Sequence, residues 1–310
     1  MSAIAQDKVI IGHFGTPLPF HAAVIGGDFE KATGWKIEWR KFGSGTEVIA
    51  AMASGDIKLA ELGSSPLAIA ASQGVDLQLF AVSDAIGAAE ALIVRNGSGV
   101  NTVKDLKGKK VGVPLGSTAH YSLMGALEGA GLSSRDVKVI GMSPDQIVAA
   151  WNQGQIDATF VWEPAKGKAM KSGKQILHAG EVPGKATYDG WVVNREWGAK
   201  NGAFMAAFLK VLEKANAAYT SNPKAATADS AMIKAIAKST GAPAAEIPDA
   251  LTGYAFPSLK EMAGANWLGG GAVKNMAATA AFLKANKKID SVASDYGKFV
   301  NASYLEAAMK

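Results

Sequence analysis

Cysteine is absent from the 310 residues, which removes thiolate catalysis, thiol-ligated zinc and disulfide stapling at one stroke. A chain without it suits an oxidising compartment. Apolar runs stop short of the ~20 residues that a bilayer-spanning helix needs, and no charged, apolar and small-residue signal opens the chain. Its start, MSAIAQDK, reads as a processed terminus carrying an added methionine. Charge of one sign is never concentrated: Lys and Arg number 32 against 27 acids, yet the densest basic cluster, Lys104–Lys110 (KDLKGKK), is broken by Asp and Gly. That is a solvated turn, and nucleic acid is not an expected partner. Histidine is scarce as well. His13, His21, His120 and His178 are too scattered for a His-x-x-x-His metal pair, and neither a Gly-x-Ser-x-Gly elbow nor a phosphate-binding loop is present. No metal and no cofactor is expected. A Ser-His-acid site assembled in space stays open, because such groups are rarely adjacent in sequence.

What is present is a globular α/β pattern, with 48% hydrophobic and 19% charged residues. Strands are expected at Val9–Phe14, Lys36–Phe42, Leu59–Leu62, Leu77–Val82, Glu90–Val94, Lys110–Pro114, Val137–Met142, Ala158–Trp162, Lys174–Leu177 and Gly190–Asn194, with helices between most of them. From Asn201 onward the strand signal disappears. Phe204–Ser221, Pro223–Thr240, Pro243–Tyr254 and Val273–Asn286 read as alanine-rich helices, and Gly269–Gly271 as a flexible turn.

The chain also echoes itself. EVIAAMASGDI (Glu47–Ile57) and QIVAAWNQGQI (Gln146–Ile156) stand in register, each a helix, a glycine stop and a strand. KVIIGHFGT (Lys8–Thr16) and KKVGVPLGST (Lys109–Thr118) are both lysine-led strands closing on glycine and a hydroxyl. Two related α/β lobes explain the pairs, with a coincidence of common α/β grammar as the competing account.

In LGSSPLAIAASQG (Leu62–Gly74), Ser65 occupies the N-cap position and Pro66 the first helical position, and a well-capped helix would explain both, as it does Ser143-Pro144. Ser64 and Ser65 differ in following a strand end directly and in having a counterpart, GSTAHYS (Gly116–Ser122), where Ser117 and Thr118 again lead into a helix. In open α/β sheets ligands lie beyond the carboxyl ends of strands, where helix N-termini present free amides. Two such ends facing each other would clasp an oxyanion: a sulfonate, a nitrate or a carboxylate.

The stretches WRKFGSGTEVIAAMASGDIKLAELGSSPLAIAASQG, EALIV, DLKGKKVGVPLGSTAHYSL, IVAAWNQGQIDATFVWEPA and WVV, spanning Trp39 to Val193 in order, resemble the taurine-binding proteins of bacterial ABC importers, within the wider group that binds sulfonates, nitrate and thiamine precursors. LGSSP and STAHYSL carry the specific part of the likeness. The resemblance implies a type II periplasmic binding protein: two α/β lobes joined by two crossover strands near Glu90–Val94 and Asp189–Val193, a hinge that closes on the solute, and a helical C-terminal region. Lobe 1 would comprise residues 8–90 and 193–310, and lobe 2 residues 91–192. It further implies a monomeric periplasmic protein that delivers taurine or a related sulfonate to an ABC permease, with no catalytic residue. Another small anion, a thiamine precursor, or a metal-dependent enzyme on the same fold are the other readings. The segment His13–Ala23 departs from the family's pattern and is a candidate to line the cleft.

For the ligand's other end, an ammonium needs carboxylates, and Glu90 and Asp189 lie beside the expected crossovers. A surface acid at a strand start competes for Glu90, and turn chemistry competes for Asp189, placed between Tyr188 and Gly190 in a break before WVVNREW. Tyr121, Trp162 and Trp191 are candidate aromatic walls, Trp151 is a core residue, and His120 is a candidate contact with capping or packing as its alternative.

Overall fold

In a computed structural model, which describes residues 7–310, the chain builds two separate sheets. The strands are β1 (Lys8–His13), β2 (Lys36–Lys41), β3 (Leu59–Gly63), β4 (Gln78–Ile86), β5 (Ala91–Arg95), β6 (Lys110–Val113), β7 (Lys138–Gly141), β8 (Ala158–Val161), β9 (Gly173–His178), β10 (Thr187–Val193) and β11 (Tyr254–Ala255). Sheet order is β11-β4-β10-β3-β1-β2 in one and β7-β6-β8-β5-β9 in the other. The opening MSAIAQ lies outside the described residues.

The internal echo is structural. β1 pairs in parallel with β2 and β3, and β6 pairs in parallel with β7 and β8, with Lys8 opposite Lys36 and Lys110 opposite Lys138. Gly12 faces Ala60 in one lobe as Gly112 faces Thr159 in the other. Helices Gly45–Ala53 and Pro144–Asn152 occupy matching places, and each is followed by a glycine in the left-handed region, Gly55 at φ 78° and Gly154 at φ 70°, that turns the chain into the next strand. A β-carbon at either position would strain that turn.

Each lobe is completed by a strand running against the parallel set: β10 lies between β3 and β4, and β5 lies between β8 and β9, all antiparallel. The chain therefore crosses from the first sheet between β4 and β5 and returns between β9 and β10. The second crossing falls earlier than Asp189–Val193, because β10 pairs along its whole length with β4, from Thr187 opposite Ile86 to Val193 opposite Gln78.

Three further expectations are corrected. Asp189 stands inside β10 and not in a break, because both neighbouring strands offer it a partner, Gly63 and Asp84. The tail contributes a strand, since Tyr254 and Ala255 extend the first sheet against Ile86 and Ala85. Pro223–Thr240 is a 3-10 turn (Pro223–Ala225) and a separate helix (Ala231–Thr240) whose N-cap Ser230 accepts the Ile233 amide.

The first lobe's core is built on Trp191, fully buried, with ring centroids 5.2 Å from Phe20 and 5.1 Å from Phe208. It is a core residue and not a cavity wall, because β10 points its side chain beneath helices Phe20–Gly26 and Gly202–Thr220. Trp151 is core in the second lobe, 1% exposed, donating to Ser172 Oγ at 2.9 Å under the Arg95 guanidinium.

The lobes touch where two helices begin. A β-carbon at Gly63 would lie 3.0 Å from Thr118 Cγ2 of the other lobe; within the first lobe, where two helix starts meet, one at Gly45 would lie 2.6 Å from both Cβ and Cγ of Pro66. Alanine is the better helix former by up to ~1 kcal/mol, but overpacking of this kind costs ~1–3 kcal/mol. Gly45→Ala is therefore expected to lower stability by roughly 1 kcal/mol, read as a lower urea midpoint with unchanged slope. A raised midpoint would mean that Pro66 yields freely and that the two helix starts are not wedged together.

Candidate functional site

One cavity sits between the lobes, lined by Phe14, Thr16, Gly45, Gly63, Pro66, Ile86, Glu90, Ser117, Thr118, Trp162, Asp189 and Tyr254. Its position follows from the sheets, since Phe14 and Thr16 follow β1, Gly63 ends β3, Ser117 follows β6 and Trp162 follows β8. Three helices start at its edge: Gly45–Ala53, Ser64–Ser72 and Thr118–Gly129. Each N-terminus carries unpaired amides and about half a positive charge, so this wall is electropositive without a basic side chain. None of the lining residues is Lys, Arg or His.

The serines behave differently from the cap expected at Ser65. Gly63 is the N-cap, in extended conformation, and Ser64, Ser65 and Pro66 are the first three helical residues, because the β3 backbone stays extended through Gly63 before it turns. Their hydroxyls are engaged elsewhere. Ser64 Oγ accepts from the Tyr188 amide at 3.3 Å, tying the helix to β10, and Ser65 Oγ donates to the Gly116 carbonyl of the other lobe at 3.2 Å. Neither lines the cavity. In the second lobe Ser117 is the N-cap, accepting from the His120 amide at 3.1 Å and donating to the Pro114 carbonyl at 2.7 Å. Thr118 Oγ1 donates to Glu90 Oε1 at 2.5 Å.

His120 does not reach the cavity, because its Nδ1 accepts the Gly116 amide at 3.1 Å and holds the turn before the helix. Burial, with Lys288 nearby, lowers its pKa to about 4. Tyr121 faces outward from the cavity onto Phe282, ring centroids 5.1 Å apart, near the Lys185 ammonium. Of the sequence candidates, then, Glu90, Ser117, Thr118, Trp162 and Asp189 come together at the cavity, whereas Ser64, Ser65, His120, Tyr121 and Trp191 lie behind it. Segment His13–Ala23 contributes Phe14 and Thr16.

Sequence reasoning missed two acids. Glu61 on β3 and Asp84 on β4 are fully buried, and each brings a carboxylate oxygen within 4.8 Å of the others and of Asp189. A register shift between Asp189 and Gly190 leaves Ser83 as an extra residue in β4, so that the strand is re-aimed there. Ser83 Oγ donates to Glu61 Oε1 at 2.9 Å, and the Phe14 amide approaches Glu61 Oε2 at 3.4 Å. The single Ser83 proton is thereby committed, and both Asp84 oxygens are left without a hydrogen bond, as is Glu90 Oε2. None of the ion pairs among the described residues involves Glu61, Asp84, Glu90 or Asp189.

Burial without a counter-charge disfavours the ionised form. It pushes Glu90 up to about 7 against the Thr118 hydrogen bond, and Glu61 up to about 7 against those from Ser83 and Phe14. Asp84 is raised well above the usual range by burial and then by the charges of Glu61 and Glu90; Asp189 is raised by burial and then by Asp84, Glu61 and Glu90. The nearest histidines offer no compensation, since burial and Lys41 lower His13 to about 4, and burial and His13 lower His21 well below its usual value. The cavity thus joins an amide-lined wall to a carboxyl-rich one. A small molecule with an anion and a cation a few bonds apart matches both.

The family model described as NMT1/THI5 like matches residues 19–226. The chain is 34% identical over 301 residues to the taurine-binding periplasmic protein of Escherichia coli strain K12, an overlap that covers 96% of this chain and 93% of that one. Among solved structures, the alkanesulfonate-binding protein SsuA from Xanthomonas axonopodis pv. citri, bound to MOPS, superposes with a TM-score of 0.79 at 23% identity, covering 97% of this chain and 100% of that chain. The desulfurization enzyme DszB shares the fold too, with a TM-score of 0.69 at 15% identity over 98% of this chain and 99% of that one.

The raised carboxyls set an expectation for stability. In the folded chain Glu61 holds its proton up to about pH 7, whereas the unfolded chain releases it near 4.5. Its favourable contribution is therefore complete below pH 4.5 and is lost as the pH rises through 7. Glu61→Gln stays neutral throughout, so the difference in unfolding free energy should shift in favour of the variant between pH 5 and pH 8. Urea titrations at both values check this. A pH-independent difference would mean that Glu61 is held as a stabilised carboxylate.

Proposed function

The chain belongs to the NMT1/THI5-like family, and from that membership we propose that it is the solute-binding protein of an ABC importer, capturing taurine or a close organosulfonate between its lobes. The observation that carries the reading is the two-signed cavity: three helix N-termini line it together with Glu90 and Asp189, and no basic residue is among its lining. A sulfonate is always ionised and spreads its charge over three oxygens, so backbone amides and the Ser117 and Thr118 hydroxyls suit it without an arginine. The ammonium then meets Asp189 and Glu90, with Trp162 and Tyr254 closing over the short carbon chain.

Ser64 and Ser65 act in this reading as positioning residues. Ser65 bridges to Gly116 and so ties the two helix starts together, and Ser64 fixes the helix to β10 beside Asp189. Lobe 1 comprises residues 8–86 with 187–310, lobe 2 residues 91–178, and the hinge lies in the two crossings between them. Binding rather than catalysis is favoured because the curated relatives are binding proteins and no histidine lines the cavity. The protein works as a monomer in the periplasm and docks on a permease. Support for the location comes from the periplasmic E. coli relative.

The test is a two-ligand cycle. Breaking a buried ion pair costs ~3–5 kcal/mol, so Asp189→Asn should weaken taurine by two or more orders of magnitude. Ethanesulfonate has the same anionic end and no cation, and its affinity should hold or improve. Calorimetry on the parent, Asp189→Asn and Glu90→Gln separates the cation end from general damage. Equal losses for both ligands would reduce Asp189 to a structural role, and a parent that binds neither would overturn the function.

A further inference from the structure

The cluster holds more carboxyl groups than one ammonium could neutralise if all were ionised. Glu61, Asp84 and Asp189 share one face of the first sheet, across the β4–β10–β3 ladder, and Glu90 stands at the cavity end of the same group. Among the described residues, the elements packed against them bring few titratable groups. β11 brings Tyr254, raised by burial and by Asp84, Asp189, Glu90 and Glu163, whereas Tyr188 of β10 turns to the opposite face, onto Trp267. β1 ends on His13, held neutral by burial beside Lys41. None supplies a positive charge. Carboxylates within a few ångströms of one another, with Glu61 and Asp84 fully buried, Asp189 half-buried and no cation paired with any of them, cannot all be ionised. Asp84 makes the point most directly, with two buried oxygens and only the Ser83 hydroxyl, already donated to Glu61, to oppose the effect of burial.

We propose that Glu61 and Asp84, neither of which lines the cavity, form with Asp189 a shared proton-binding site, and that a solute's cationic group is captured at Asp189 in exchange for a proton. The exchange balances: a carboxyl O–H is broken, the proton leaves to solvent, and the carboxylate it exposes receives the incoming ammonium. Glu61 and Asp84 thereby become residues that set specificity through the charge of Asp189, favouring solutes with a cation over those without one. They also make affinity rise with pH, because protons and ammonium compete for one group of oxygens. This inference rests on the reading that the cationic end of the solute meets Asp189, and the two can fail separately.

The ligand-free protein tests the proton. Infrared difference spectra between pH 9 and pH 6 should show a protonated-carboxyl C=O band that Asp84→Asn and Glu61→Gln each diminish. Calorimetry tests the exchange: at pH 7 the enthalpy of taurine binding should vary linearly with the ionisation enthalpy of the buffer, with about one proton released per taurine. The slope should fall by at least half in either variant and be near zero for ethanesulfonate. Taurine affinity should rise from pH 5.5 to pH 7.5, by up to about tenfold per pH unit if one full proton is displaced. Absence of the band overturns the shared proton whatever the ligand proves to be, and so does a stoichiometric divalent metal in the purified protein in its place. A buffer-independent enthalpy with taurine bound, or an unchanged slope in both variants, overturns the exchange while leaving taurine binding intact.

Discussion

The insertion of β10 between β3 and β4 is the constraint on which the rest depends. The strand returns from the far lobe and pairs antiparallel on both sides, so it is at once the second link between the lobes and the centre of the first sheet. Alternation along it places Asp189 and Trp191 on one face. Trp191 goes into the aromatic core, and Asp189, two residues earlier, emerges at the cavity opposite Gly63. A β-carbon at Gly63 would lie 3.1 Å from Asp189 Oδ1 as well as against Thr118, so glycine there lets three pieces of the site close on one another. Core packing and site geometry are set by the same seven residues.

The two walls of the cavity differ in how they are made. The amide wall needs only helices that start in the right place, and strand-to-helix turns at Gly63 and Ser117 provide them twice over. Its field comes from backbone dipoles and does not depend on protonation. The carboxyl wall depends on side chains and on their desolvation, which makes it the part that responds to pH. Thr118 joins the walls: its residue opens a helix on the amide side, and its hydroxyl donates to Glu90 on the acid side. A ligand whose opposite charges are only a few bonds apart can therefore touch both.

Much of this was legible in the sequence. All ten strands expected from period and composition are present, and the echo between Glu47–Ile57 and Gln146–Ile156 corresponds to a repeated helix-glycine-strand unit. Glu90, Asp189, Ser117, Thr118 and Trp162 were found because each follows or flanks a strand end. The misses have physical reasons. Asp84 belongs to a Ser-Asp pair, which reads as a turn, and only the tertiary pairing of β4 with β10 and the extra residue at Ser83 carries the strand onward to Ile86. Glu61 is a lone acid in an apolar run, where no local signal distinguishes a buried carboxyl from an exposed one. Tyr254 reaches the cavity through a two-residue strand that packing alone creates. Ser65 misled for the opposite reason: its serine-proline sequence is an ordinary N-cap signal, overridden because β3 remains extended up to Gly63.

The acids that local rules could not place are also the ones that violate them. A carboxyl buried without a cation costs stability, and the hydrogen bonds from Ser83, Phe14 and Thr118 go to Glu61 and Glu90, two of the four acids. Sequences that keep such a group keep it where the cost can be offset by something that arrives later. The low polarity that penalises the unpartnered carboxyls also strengthens their attraction for an incoming cation, since the same desolvation enters both terms with opposite sign. A site built in this way discriminates by charge before it discriminates by shape. In the proposed exchange the protein is least stable as a carboxylate cluster and most receptive in that same state, so stability and affinity are expected to move in opposite directions with pH around neutrality.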